Sequence, residues 1–145
     1  MDKPRILSLL DQLDGYVADL VKYVPQSFKL YSQNIEKRRF TERTLQLCIE
    51  VSIDIASIMV KDLRLGLPSE EENVFDKLKD AKVISSSLCE RFKSLKRFRN
   101  VLIHKYPTLD DSIVYRVALK ERDDFNKFKK EILLFFKKNK KRVEI

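Results

Sequence analysis

The chain contains one histidine, His104. Arg99 lies five residues before it, Asn100 next to that arginine, and Tyr106 two residues after the histidine. Histidine is the side chain whose ordinary pKa suits proton transfer near neutrality. Arginine carries a permanent charge on a planar donor fork that matches a phosphate. In a protein with a formal charge of +8, the pair fits cleavage of a phosphodiester: the imidazole moves a proton and the guanidinium holds the phosphate. It fits equally a basic helix end, where a histidine meets the helix dipole favourably and an arginine forms a structural ion pair.

The elements that position the pair follow from composition and periodicity. With 145 residues, 43% of them hydrophobic and 36% charged, the chain is one domain over 1–145, long enough to bury a core. Only 2 Gly and 4 Pro leave little material for the turns of an all-β fold and favour long helices. The positive charge suits an anionic partner, and nucleic acid, an acidic protein and an anionic membrane all qualify. Cys48 and Cys89 form no CxxC pair, so a disulfide scaffold or zinc site is not expected, and each reads as a small core residue. No signal-peptide pattern and no apolar stretch of transmembrane length occurs, which leads to the expectation of a cytoplasmic protein without a membrane partner.

Apolar residues Ile6, Leu10, Leu13, Val17 and Leu20 step by four and three, one face of a helix. Pro25 interrupts it, and Phe28, Tyr31 and Ile35 resume the rhythm, so the first helix reads as broken and ends near Glu36-Lys37-Arg38-Arg39. A second helix from about Thr41 carries Leu45, Cys48, Val51, Ile55 and Met59, and Gly66-Leu67-Pro68 ends it. Ser69 with Glu72 and Ser87 with Glu90 have capping-box spacing. The first box opens a short helix through Val74, Phe75 and Leu78, the second the helix carrying Arg99 and His104. Pro107 stops that helix by about Lys105. A last helix from about Ser112 has Phe125, Phe128, Ile132 and Phe135 on one face and fades into a basic tail at about 137–145. The fold expected is all-α: an antiparallel bundle of four main helices plus a short extra helix. The tail reads as a solvated helix end or as a source of non-specific affinity for nucleic acid.

With Leu88 at zero and about 100° per residue, Phe92, Leu95, Leu102 and Ile103 fall within about 60° of it, and Arg99 lies near 20°. A charge in an apolar stripe must be paired or open onto a polar cleft, and Glu50 and Asp54 are candidate partners. His104 lies about 140° round from Arg99, so on a straight helix the two do not share a face. They could serve one site if the last turn loosens, or if two copies meet across a dimer axis, with Phe98 and Val101 contributing to the contact.

The run Arg99-Asn100-Val101-Leu102-Ile103-His104-Lys105-Tyr106 matches the R-x4-H-x-Y signature of HEPN-domain proteins. The chain most resembles the HepT-like toxins that are encoded beside an MNT-type nucleotidyltransferase antitoxin. The resemblance extends from Arg43–Leu47 to Ile132 and includes Ile53-Asp54-Ile55-Ala56, Gly66-Leu67-Pro68, Phe75-Asp76-Lys77-Leu78 and Asp123-Asp124-Phe125. The first forty residues match only in helical character. The resemblance implies a metal-independent endoribonuclease toxin of a type VII toxin-antitoxin module, without a cofactor. It implies a homodimer in which two motif copies face one cleft, with Arg99 and His104 as the catalytic pair and Asn100 as a supporting residue. Tyr106 becomes the tyrosine to which the antitoxin attaches AMP. RNA would be cut by attack of its own 2′-hydroxyl. The principal alternative is a non-catalytic helical binding subunit of a nucleotidyltransferase. A third reading, a basic bundle that binds nucleic acid without cutting it, leaves Arg99 in the apolar stripe unexplained.

Overall fold

The computed structural model describes residues 1–67, 73–104 and 109–143. Described helices are α1 (Lys3–Tyr23), α2 (Phe28–Ser32), α3 (Ile35–Asp62), α4 (Asn73–Asp80), α5 (Ser86–His104), α6 (Asp111–Arg116), α7 (Arg122–Lys138) and α8 (Lys140–Val143), with a π-helical turn at Val117–Glu121. Among the described residues there is no strand, and no helix is long and apolar enough to cross a membrane.

The four long helices α1, α3, α5 and α7 form an antiparallel ring, and side-chain contacts tie α1 to α3, α1 to α7 and α5 to α7. The Asp2 amide at the start of α1 donates to Asp62 at the end of α3, while Tyr23 and Phe40 pack edge-on at the opposite ends. Lys129 of α7 pairs with Asp14, and Arg122 reaches the Leu20 carbonyl. Arg91 of α5 pairs with Asp124 of α7. The core holds Ile6, Leu10, Leu13, Val17 and Leu20 of α1, and Phe125, Phe128, Ile132 and Phe135 of α7, as the periodicities predict. Phe92 is fully buried against Phe128, Phe75 and Phe125, with ring centroids 4.7, 5.3 and 5.7 Å away. This cluster ties α4, α5 and α7 together.

Four local expectations are corrected. Helix α3 begins at Ile35, because the Asn34 side chain accepts from the Lys37 amide and caps a new helix there. The basic cluster 36–39 is therefore the first turns of the longest helix, not the end of the first. Helix α5 is capped by Ser85, whose Oγ accepts from the Leu88 amide at 3.2 Å, so Ser87 lies inside its first turn. The carboxylate on the Ser85 amide comes from Glu131 of α7 at 2.6 Å, which completes a capping box across two helices. The last helix is divided by the π turn into α6 and α7. The Ser69–Glu72 pair lies outside the described residues. The basic tail does not fray at 137: α7 continues to Lys138 and α8 seats Val143 in the core, 1% exposed.

Candidate active site

Helix α5 is anchored at its start by Ser85 and Glu131 and along its length by Leu88, Phe92, Leu95 and Leu102, all buried. It carries Arg99, Asn100 and His104 in its last two turns. Arg99 is half-buried on the same side as that apolar stripe. Its guanidinium Nη2 donates to Oδ1 of the neighbouring Asn100 at 3.2 Å, which fixes one edge of the donor fork. Asn100 and His104 are exposed.

The end of the bundle around the motif is held by a second aromatic group. Tyr31 of α2 packs on Tyr115 of α6 at 5.0 Å, Phe28 packs on Tyr115 at 5.5 Å, and the Tyr115 hydroxyl donates to the Pro25 carbonyl. Arg38 of α3 pairs with Asp111 at 3.1 Å, which fixes α6 beside the start of α3.

Of the two expected carboxylate partners of Arg99, Asp54 feels its charge and Glu50 is engaged elsewhere. Partial desolvation on α3, and then the neighbouring Glu50, push the Asp54 carboxyl above its ordinary range, while Arg5 and Arg99 pull it down. Glu50 accepts a hydrogen bond from the Gln46 amide at 2.9 Å.

Helix α5 remains regular through His104. No loosened last turn therefore brings Arg99 and His104 together: at five-residue spacing they point about 140° apart, and one chain does not bring them to a common face. Ile103, expected in the buried stripe, is 42% exposed, and Val101 beside it is 36% exposed, because the stripe narrows where α5 runs out past the core. Tyr106 lies outside the described residues.

The sequence reading missed what α3 places opposite the motif. Arg39, Glu42, Arg43 and Gln46 line a cavity of about 260 Å³ against Leu102 of α5. Arg39 is held by the buried Glu42 carboxylate at 3.0 Å. The missed signal is a 39, 42, 43, 46 spacing, one face of a helix. At the far end of α5, Asp76, Cys89 and Glu90 bring three donor atoms within 4.8 Å of one another. Lys93 already donates to Asp76 there at 3.2 Å, so an ammonium takes the place of a cation. Burial, then hydrogen bonding to the Asp76 carboxylate, push the Cys89 thiol up to about 11, so it is an unreactive thiol at neutral pH.

A helical bundle with an arginine and a histidine at one helix end defines a class, and comparison with known proteins defines the family. The ribonuclease HepT-like family matches residues 13–132, and the chain belongs to it. It is 32% identical over 84 residues to an mRNA nuclease HepT from Shewanella oneidensis, a match covering 58% of this chain and 63% of that protein, so just under two thirds of that relative's length is spanned. It is 26% identical over 106 residues to a tRNA nuclease HepT from Aphanizomenon flos-aquae, covering 73% of this chain and 72% of that one. The fold is that of a tri-AMPylated Shewanella oneidensis HEPN toxin solved in complex with MNT antitoxin: TM-score 0.84, 24% identity, 92% of this chain and 99% of that one.

Proposed function

We propose that this chain is the endoribonuclease toxin of a HEPN/MNT toxin-antitoxin module and cuts RNA without a metal ion. Its cleft lies between two copies of the chain. The observation that carries this reading is the regular α5 helix, which holds Arg99 and His104 on different faces of one exposed end. A second copy related by a two-fold axis supplies the missing residue to each face. The exposed Val101 and Ile103 are the apolar surface of that contact.

In the cleft, His104 takes the proton from a ribose 2′-hydroxyl. The 2′-oxygen, already adjacent by covalent structure, attacks the phosphorus. The bond from phosphorus to the 5′-oxygen breaks, and a proton returned by an imidazolium leaves a 5′-hydroxyl and a 2′,3′-cyclic phosphate. Arg99 holds the phosphate and stabilises the charge that develops on its oxygens, with Asn100 orienting the guanidinium. An MNT-type nucleotidyltransferase adds AMP to Tyr106, two residues from His104, where bulk and negative charge oppose RNA entry.

The test is RNA cleavage in EDTA by wild type, Arg99→Ala and His104→Ala, each with Tyr106 shown by mass to be unmodified. Wild type should yield cyclic-phosphate ends and each variant none. Mixing the two inactive variants should restore roughly a quarter of wild-type activity, since half of the dimers are mixed and each has one intact site. No restoration after verified subunit exchange rejects the shared cleft. No cleavage by unmodified wild type rejects the nuclease and leaves a helical binding subunit of a nucleotidyltransferase. Tyr106→Phe should keep the nuclease and escape inhibition by the partner.

A further inference from the structure

The cavity between α3 and α5 is lined by Arg39, Glu42, Arg43, Gln46 and Leu102. Leu102 lies three residues after Arg99, so the two are neighbours on the surface of α5 and the cavity adjoins the motif. Its volume of about 260 Å³ is below that of a drug-sized pocket and suits one phosphate with part of a sugar. Glu42 is 4% exposed and its carboxylate is taken by Arg39. That pairing fixes the Arg39 side chain and leaves the cavity with one positive charge in excess. The excess resides on Arg43, which is exposed and whose guanidinium, among the described residues, forms no ion pair or hydrogen bond.

The basic residues of α3 are put to different uses. Three of the first five residues of α3 are basic, Lys37, Arg38 and Arg39, the wrong sign for the positive end of a helix. Arg38 is used structurally, on Asp111. Arg39 neutralises the buried Glu42 carboxylate, and Arg43 is exposed. They face the cavity beside Arg99, where they raise the positive potential along the line an RNA backbone would follow.

From this geometry we infer that the α3–α5 cavity is a phosphate subsite of the RNA-binding surface. Arg43 contacts a phosphate next to the one being cut, and Arg39, positioned by Glu42, supports it. The inference rests on the nuclease reading above. It assigns to α3 a part in substrate binding that the motif on α5 does not supply.

The test uses the full chain with unmodified Tyr106. Binding of a fluorescein-labelled single-stranded RNA is measured by anisotropy across a salt series in a His104→Ala background, so that the probe stays whole. Cleavage is measured with His104 intact. Arg43→Gln should weaken binding by about tenfold, the loss of one charged hydrogen-bonded contact, and raise KM more than it lowers kcat. It should make the log–log salt dependence shallower by about 0.7, one phosphate contact to a single strand. Arg43→Lys, which keeps the charge, should keep the salt slope. Lys130→Gln, an equal loss of charge on the exposed side of α7, should leave binding and KM within twofold of wild type.

If Arg43→Gln binds and cleaves as wild type does, the subsite is wrong and the nuclease reading stands. If it loses activity with unchanged affinity and salt slope, or sediments as a monomer where wild type is a dimer, Arg43 is structural and the subsite is again wrong. If unmodified wild type neither cuts RNA nor binds it at low salt, the nuclease reading falls and the subsite with it.

Discussion

Replacing Asn100 with aspartate tests the role of Arg99 with almost no change of shape. The Asn100 Oδ1 accepts from Arg99 Nη2 at 3.2 Å, so Asn100→Asp puts a carboxylate where the guanidinium should meet a phosphate. At 3.2 Å Coulomb's law gives about 1.3 kcal/mol in water and about 5 kcal/mol at an effective dielectric constant of ~20. Asn100 is exposed and Arg99 only half-buried, so solvent screening selects the lower figure. A phosphate that must displace a competitor worth about 1.3 kcal/mol loses about tenfold in kcat/KM. Asn100→Ala removes one exposed neutral acceptor, about 0.5–1 kcal/mol, and should cost only two- to fivefold. The assay is cleavage of a fluorogenic RNA at two ionic strengths, with a melting curve for each variant. The aspartate variant should melt no lower than wild type, because the new carboxylate pairs with Arg99. Its deficit relative to the alanine variant should shrink as salt rises. Wild-type kcat/KM in a folded Asn100→Asp protein would refute the assignment of Arg99 to the phosphate. Equal losses in the two variants would show that the amide itself, not the freedom of Arg99, matters.

Glu121, in the π turn, has its carboxyl pushed above the ordinary range by burial and then by Asp124. A group that is harder to ionise when folded weakens the fold wherever it is charged. Glu121→Gln should therefore raise the melting temperature at pH 7, with the gain fading as pH falls through the folded-state and then the unfolded-state pKa of the glutamate. Removing either half of the cap shared between α5 and α7, by Ser85→Ala or Glu131→Ala, should cost about 1 kcal/mol in urea denaturation. The double variant should lose less than the sum, since both groups serve one helix start. Phe92→Ala should cost about 3–5 kcal/mol by the same assay, and a loss below 1 kcal/mol would contradict the aromatic cluster as the anchor of the motif helix.

Much of this architecture is legible in the order of residues. The stripe Ile6–Leu10–Leu13–Val17–Leu20 and the stripe Phe125–Phe128–Ile132–Phe135 are both buried, because a helix face is a local property repeated every three or four positions. The motif needs only adjacency along one helix, so the candidates Arg99, Asn100 and His104 are readable from spacing, as is the angle that keeps Arg99 and His104 on different faces. The hydrophobic rhythm failed at Ile35 because that residue is 55% exposed and Asn34 had already capped a new helix. It failed at Ile103 because burial depends on how far the neighbouring helices reach, not on angle alone.

Only the tertiary structure decided the partners that lie far away in the chain. The carboxylate that completes the cap of α5 is Glu131, 46 residues beyond Ser85, and the arginines that face the motif come from α3. Periodicity specifies which side of each helix is apolar. It does not specify which polar residues of a second helix end up opposite, because that is set by the crossing and register of packed helices.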